Sequence, residues 1–216
     1  MDPLTGPVIL AAAFVLIYAA FLFWYGGRGK PLSPSEVDAM LGEMQRRAGK
    51  QTQGQEAPIL EQFRDLTRND DGREFYMVNL LKFRNQALCP GGSRYGDDPA
   101  AANDRYNRAI IPLLLKYGGH PIFAGQVLGR FIHPGANDDW DQVAMVRYRS
   151  RRDMLQMAVE IAGKGIDRDK WAALEKTQVF PVRPLVNLIF VRVTVAAILT
   201  VVALLLGWVL GWLNLI

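Results

Sequence analysis

The sequence predicts an α+β domain that lies between two transmembrane α-helices. Long uncharged apolar segments lie near both ends of the 216-residue chain. Between them, segments with the period of strands alternate with segments that have the period of helices. All 25 lysine and arginine residues fall within this middle region, from Arg28 to Arg192. The middle region is therefore expected to be exposed to water and the ends to lipid.

The two terminal segments have the length and composition of membrane-spanning helices. Residues 7–25 are nineteen residues without a charge, and residues 193–216 are twenty-four. Nineteen helical residues extend about 28 Å, close to the thickness of a bilayer core. Two buried helices of a soluble protein are the alternative, but such helices rarely stay apolar on every side for this length. A cleaved signal peptide fits poorly because residues 1–6 carry no basic side chain.

The basic residues predict the orientation of these helices. Arg28 and Lys30 follow the first helix, Arg183 and Arg192 precede the second, and the outer ends carry none. The positive-inside rule then predicts a bacterial inner-membrane protein with a cytoplasmic middle region and both termini outside. Of the 21 acidic residues only Asp2 lies outside the middle region, which therefore has 25 basic and 20 acidic residues. This excess of positive charge suits contact with an anionic bilayer. The two charges are intermixed, so no nucleic-acid partner is predicted.

Four domains are expected along the chain. They are an N-terminal transmembrane helix (1–27), a linker with amphipathic helices (28–68), the α+β domain (69–184) and a C-terminal transmembrane helix (185–216). Ser33 and Glu36 have the spacing of a capping box at the start of the first amphipathic helix. These helices either pack on the domain or lie on the membrane surface.

The α+β domain is predicted to follow the order β-α-β-β-α-β of the ferredoxin-like fold. Gly118 and Gly119 follow the first helix of this unit and predict a left-handed C-cap. The elements are predicted at 75–84 (strand), 104–117 (helix), 121–132 and 140–149 (strands), 150–163 (helix) and 177–185 (strand).

The first strand is apolar on both faces. Side chains alternate along a strand, so one face carries Tyr76, Val78, Leu80 and Lys82, and the other carries Phe75, Met77, Asn79, Leu81 and Phe83. Two helices cover only one face of a four-stranded sheet. We therefore expect a second sheet, from another copy or another subunit, on the other face. The alternative is that the helices of residues 28–68 cover it within one chain.

Several segments resemble the dimeric α/β-barrel superfamily. They include N-L-L-K-F at 79–83, P-L-L-L-K-Y-G-G at 112–119 and Y-R-S-R-R-D-M-L-Q-M at 148–157. The chain is most similar to an uncharacterised bacterial domain family with an N-L-L-K-F strand and a Y-P-S-R-x-x-F-x-x-M stretch. Arg149 replaces the proline of that stretch and Met154 its aromatic residue. The resemblance covers residues 58–184 and implies sheet-to-sheet pairing, but it brings no agreed catalytic residues.

The barrel interior is the expected pocket of such a fold, and its candidate residues are Asn79, His120, Trp140 and Tyr148. No Ser-His-Asp, Cys-His or paired-carboxylate arrangement has a supporting motif, so no catalytic residue is assigned. Cys89 is the only cysteine, which excludes an internal disulfide. No metal and no cofactor are predicted.

The terminal segments carry two further signals. In the C-terminal segment, small residues recur at every fourth position, at Ala203, Gly207 and Gly211. This spacing predicts a helix face for close packing against another helix. Aromatic residues at both ends of the spans predict anchoring at the membrane interfaces, by Trp24, Tyr25, Trp208 and Trp212.

Two functions follow as hypotheses. The first is a membrane-anchored accessory or assembly subunit of a larger inner-membrane complex, whose cytoplasmic domain pairs with another sheet. The second is a membrane-tethered enzyme of oxygenase or isomerase type, which acts on an apolar substrate in the barrel pocket. The lack of a catalytic motif favours the first.

Overall fold

The computed structural model describes residues 5–27, 29–48, 56–88, 98–129, 131–132, 139–186 and 190–213. These residues form an α+β structure with seven helices and four strands. The helices are α1 (Thr5–Gly26), α2 (Pro34–Ala48), α3 (Glu56–Thr67), α4 (Pro99–Lys116), α5 (Arg151–Ile161), α6 (Asp167–Ala173) and α7 (Val191–Trp212). The strands are β1 (Phe75–Phe83), β2 (His120–Gln126), β3 (Gln142–Tyr148) and β4 (Leu174–Val182). The chain divides into two compact units, residues 1–28 with 185–216, and residues 29–184.

The first unit contains the two apolar helices α1 and α7. Both are long and apolar enough to cross a membrane. They pack against each other, and Leu10 of α1 lies 3.7 Å from the Cβ position of Gly207. The Tyr18 hydroxyl donates a hydrogen bond to the Arg192 carbonyl oxygen over 3.1 Å. A helical pair of this kind satisfies its backbone hydrogen bonds internally, as a span in lipid must.

The second unit is built on a four-stranded antiparallel sheet with the order β2-β3-β1-β4. The strand that the sequence marks as apolar on both faces, β1, is one of its two central strands. The register places Asn79 between Ala144 of β3 and Val179 of β4. A central strand is hydrogen-bonded to a neighbour along both edges. Its side chains therefore determine what can pack on each face of the sheet.

Helices α4, α5 and α6 cover one face of the sheet. Ile110 and Leu114 of α4 and Met157 of α5 form a cluster with Val146 and Tyr148 of β3. A second cluster covers the same face at the other end of β1. Its members are Leu81, Ala87, Ala102, Ala172, Ala173 and Leu174. Gly118 closes α4 with φ of 71°, as predicted from the glycine pair.

Helices α2 and α3 pack on α5 rather than on the sheet. Val37, Leu41 and Met44 of α2 form a buried cluster with Leu155 and Ala158 of α5. Leu60 and Phe63 of α3 pack against that cluster. The amphipathic stripe of α2 is therefore used in the domain, and these helices form an outer layer over α5.

Side-chain caps fix where two of these helices begin. The Ser33 N–H donates to Glu36 Oε2 over 2.9 Å and the Glu36 N–H to Ser33 Oγ over 3.3 Å, which is the predicted capping box of α2. Ser150 caps α5 in the same way, because its Oγ accepts from the Asp153 N–H over 3.1 Å. The sequence predicted the first of these caps from the spacing of Ser33 and Glu36.

Four elements differ from the sequence prediction, and one of them is helix α4, which begins at Pro99 rather than at residue 104. Helix α6 was not predicted, because its buried residues Ala172 and Ala173 are small and give no strong apolar period. Strand β2 ends at Gln126, shorter than the predicted 121–132, and one further hydrogen bond of the same register follows, from the Val127 N–H to the Asp141 carbonyl oxygen. Strand β4 begins at Leu174, three residues before the predicted start.

Leu155→Ala is expected to lower the free energy of unfolding by about 2–5 kcal/mol, because Leu155 is 1% exposed between α2 and α5. Its neighbour Gln156 is exposed on the same helix, so Gln156→Ala should have little effect. Urea unfolding of the two variants in detergent compares them. Equal midpoints would contradict the packing of α2 on α5.

Candidate functional site

Among the residues that the structure describes, no helix cluster packs on the centre of the sheet face opposite the helices, although the end of this face at Tyr76 and Arg147 is buried. Val146 and Tyr148 pack towards the helices, so Val143, Met145 and Arg147 point the other way. We call the sheet surface that carries Val143, Met145 and Arg147 the open face. Its members are Tyr76, Val78, Leu80 and Lys82 of β1, Val143, Met145 and Arg147 of β3, His120, Phe123 and Gly125 of β2, and Lys176, Gln178, Phe180 and Val182 of β4.

The middle of the open face is apolar across all four strands. In one row of opposed residues, Val78 lies between Met145 and Phe180, and Phe123 lies beyond Met145. Phe123 is 53% exposed and Phe180 38% exposed. The next row continues with Val143 and Leu80, both half-buried. Monomers seldom leave contiguous apolar surface of this kind in water.

One end of the open face is formed by a buried ion pair. Arg147 is completely buried and donates from Nε and Nη2 to Glu74 Oε2, over 3.0 and 2.6 Å. Its Nη1 donates to the Gly118 carbonyl oxygen over 2.9 Å. Tyr76 and His120 lie directly opposite Arg147 on the neighbouring strands. Charge and polarity thus limit the apolar surface at this end.

The other end is formed by lysines and a tryptophan. Lys82 Nζ lies 2.9 Å from Asp139 Oδ2 and 3.1 Å from Asp141 Oδ1. Hydrogen bonds to Asp139 and then Asp141 raise the pKa of Lys82. Lys176 lies over the Trp140 ring, 4.9 Å from its centroid. Both ends of the open face are therefore charged, with an apolar centre between them.

The four predicted pocket residues do not come together. Asn79 and Tyr148 lie on the helix-covered face, in register with Ala144 and Phe75 respectively. The Asn79 amide donates to the carbonyl oxygens of Met77 and Ala144 over 3.2 and 3.4 Å. His120 and Trp140 lie at opposite ends of the sheet. The four side chains therefore occupy separate positions in the sheet and do not form one pocket.

Sequence reasoning missed the Arg147–Glu74 pair, although a signal for it exists. Arg147 alternates with apolar residues inside β3, and Glu74 directly precedes β1. A charged side chain that becomes buried in a strand needs a partner of opposite charge nearby. The antiparallel register of β1 and β3, which the sequence does not give, supplies that charge.

Metal binding finds no support among the described residues, where no group of three or more histidine, cysteine, aspartate or glutamate side chains could hold an ion. Cys89 and His133 lie outside these residues.

The small-residue stripe of α7 lies partly against α1. Ala203 and Gly207 line a groove of about 660 Å³ between the two helices, together with Leu10 and Tyr18 of α1. The Cβ position of Gly211 has no atom within 4 Å. Among the aromatic residues at the span ends, Trp208 and Trp212 are 72% and 77% exposed. Trp24 is partly exposed, whereas Tyr25 is buried and lies under the Arg192 guanidinium.

A second concavity of about 490 Å³ lies on the helical side, between α2, α5 and the end of α4. Glu160 in its wall accepts from Lys116 Nζ and from the Tyr117 hydroxyl, each over 2.6 Å. These hydrogen bonds, from Lys116 first and Tyr117 second, lower the pKa of Glu160 to about 2. Burial and the bond to Glu160 raise the pKa of Tyr117 to about 12. The charges of this wall are mutually paired.

Comparison with solved structures finds a protein of unknown function, RPA0582 from Rhodopseudomonas palustris. The chain is 25% identical to it with a TM-score of 0.51, and the match covers 60% of this chain and 94% of that one. The methylated form of RPA0582 gives 26% identity, a TM-score of 0.52, and coverage of 60% and 92%. No protein-family model matches the chain, and no curated protein matches it. Nearly the whole neighbour thus corresponds to three-fifths of this chain.

Glu74→Ala is expected to lower the free energy of unfolding by about 3 kcal/mol or more, because it leaves the guanidinium of Arg147 buried without its carboxylate. Glu175→Ala is the matched control, since Glu175 is exposed on β4. Thermal unfolding in detergent gives the comparison. A Glu74→Ala protein as stable as the control would show that Arg147 does not depend on Glu74.

The stability of the domain is expected to fall between about pH 4.5 and pH 2 partly through Glu160. Its folded pKa is lowered from 4.5 to about 2, so its contribution is present above the unfolded pKa and is lost as the pH falls through the folded one. Glu160→Gln should therefore flatten this part of the curve of unfolding midpoint against pH. A slope identical to that of the wild-type protein would contradict the hydrogen bonds from Lys116 and Tyr117.

Proposed function

We propose that this chain is a membrane-anchored accessory or assembly subunit whose α+β domain pairs its open face with a second sheet. The second sheet comes from another copy of the chain or from another subunit of a membrane complex. The observation that carries the proposal is the centre of the open face, an apolar row of Phe123, Met145, Val78 and Phe180 whose two outer members are 53% and 38% exposed.

We assign the domain to the ferredoxin-like fold of the dimeric α/β-barrel type. The strand order β2-β3-β1-β4, with helices on one face, supports this assignment. In such an arrangement the uncovered face is where two sheets meet, about 10 Å apart. The match to nearly all of RPA0582, together with two-fifths of this chain outside it, supports a self-contained domain with additions around it.

The energetics of the open face support pairing. Burying a valine, leucine or phenylalanine side chain stabilises by about 1.5–3 kcal/mol. The central side chains Val78, Leu80, Met145, Phe123 and Phe180 would together supply several times that amount. The ion pairs at both ends of the face would lie at the rim of the interface, where charge costs least.

The proposed location is a bacterial inner membrane with the domain in the cytoplasm and both termini outside. Two helices that are long and apolar enough to cross a membrane support the anchoring. The confinement of all lysines and arginines to residues 28–192 supports the orientation. The groove between α1 and α7, with Ala203 and Gly207 in its wall, supports contact with further apolar groups of a complex.

An enzymatic role has weaker support. Asn79, the polar residue expected in a barrel pocket, lies on the helix-covered face and is hydrogen-bonded to strand carbonyls. His120 and Trp140 are separated by the length of the sheet. Catalysis needs such groups to converge on one reacting atom.

The pairing is tested with two adjacent residues of β4. Phe180 lies on the open face and Val179 on the opposite face, and the two are similarly exposed, at 38% and 41%. Phe180→Asp is expected to break the pairing because it buries a charge in the apolar interface. Val179→Asp adds the same charge outside it. Sedimentation of the full-length protein in mild detergent measures the mass of each complex.

The proposal expects wild type and Val179→Asp to sediment as a paired or larger complex, and Phe180→Asp as a smaller species. Retention of the complex by Phe180→Asp would contradict pairing through the open face. Sedimentation of the wild-type protein as a single chain would contradict pairing altogether.

A further inference from the structure

The turn Asn69–Gly72, directly before β1, contacts both ends of the unit that comprises residues 29–184. The Leu32 N–H, near the first end, donates to Asp70 Oδ2 over 2.7 Å. Arg183, next to the last residue of the unit, forms an ion pair with Asp71. One turn of four residues therefore holds the two places where the chain enters and leaves the domain.

The fit at Gly72 is tight enough to require glycine. Gly72 has φ of 69°, a conformation that other residues rarely adopt. A Cβ at this position would lie 2.4 Å from the Gly29 carbonyl oxygen and 2.6 Å from the Gly29 carbonyl carbon. The Gly72 N–H donates to Asp70 Oδ1 over 3.1 Å, which stabilises the turn itself. The entering chain thus lies directly on the turn.

Arginines at the start of α5 complete the arrangement. Arg151 Nη1 lies 3.2 Å from both Asp70 Oδ1 and Asp71 Oδ1, and the Asp70 side chain is fully buried. Arg152 donates to Glu36 over 2.8 and 2.9 Å and to the Pro31 carbonyl oxygen over 2.9 Å. The entering chain is therefore bound both by the turn and by α5.

Asp71 is kept ionised by its surroundings. Burial opposes its ionisation, but the Arg73 N–H and the charges of Arg183 and Arg151 outweigh that effect and hold the pKa of Asp71 below its usual range. The Asp71 carboxylate that faces Arg183 is therefore charged at neutral pH.

We propose that the Asn69–Gly72 turn is a latch that fastens both ends of the domain at one corner, at the start of β1 and the end of β4. Opening the latch would loosen residues 29–32, which Arg152 would then still hold through the Pro31 carbonyl oxygen, whereas the strand pairing would remain because no ladder bond involves the turn. This conformational device goes beyond the proposed pairing and does not depend on it.

The latch is tested in the full-length protein with spin labels at residues 30 and 181, in a Cys89→Ser background. Both residues are exposed, and Pro181 lies on the face opposite the open face. Dilution with unlabelled protein restricts the measured distance to one chain. The variants are Gly72→Ala, which cannot accommodate the Gly29 carbonyl, and Asp70→Asn. The second removes the negative charge beside Arg151 and replaces one of the two oxygens that accept from the Leu32 and Gly72 N–H groups with an amide donor. Gly42→Ala is the control, because its added Cβ meets no atom within 4 Å.

The latch predicts one narrow distance distribution for wild type and Gly42→Ala, and a broader one with a longer mean for Gly72→Ala and Asp70→Asn. Amide exchange at Leu32 should accelerate by about tenfold or more in Asp70→Asn, while exchange within β1 and β3 stays unchanged. Unchanged distributions in both latch variants, or equal broadening in Gly42→Ala, would overturn the proposal. If Gly72→Ala does not fold, Asp70→Asn decides alone.

Discussion

A sheet whose central strand is apolar on both faces is the constraint on which the rest of this structure depends. Phe75, Met77 and Leu81 point to one side of β1, and Val78 and Leu80 point to the other. Helices α4, α5 and α6 cover the first side. Since apolar surface of this extent is costly in water, the second side is the surface to which we assign the proposed pairing.

Charges mark the limits of the open face. The buried Arg147–Glu74 pair closes one end, and Lys82 with Asp139 and Asp141 closes the other. A buried ion pair adds little net stability compared with apolar packing, but removing one partner is expensive. We expect the pair at Arg147 to favour the register in which Glu74 lies beside β3.

The chain outside the sheet and its three covering helices is organised around α5. Its apolar side binds α2 through Leu155 and Ala158, and its first residues, Arg151 and Arg152, bind the entering chain and the turn before β1. Helices α2 and α3 therefore form an outer layer over α5 and do not cover the sheet. The centre of the open face is thus left uncovered by these two helices, as the proposed pairing requires.

The sequence by itself determined the features that depend on local chemistry. Apolar runs, capping residues and a glycine pair predicted α1, α7, the starts of α2 and α5 and the end of α4, because each signal acts within a few residues. Strand β1 was predicted to within one residue of its end. Only the tertiary structure decided which face Asn79 occupies, where α2 packs, and that Glu74 meets Arg147. An apolar stripe indicates that one side of an element is buried, but it does not identify what packs on that side. Strand register likewise depends on the neighbouring strands. These contacts are therefore set by residues far apart in the chain.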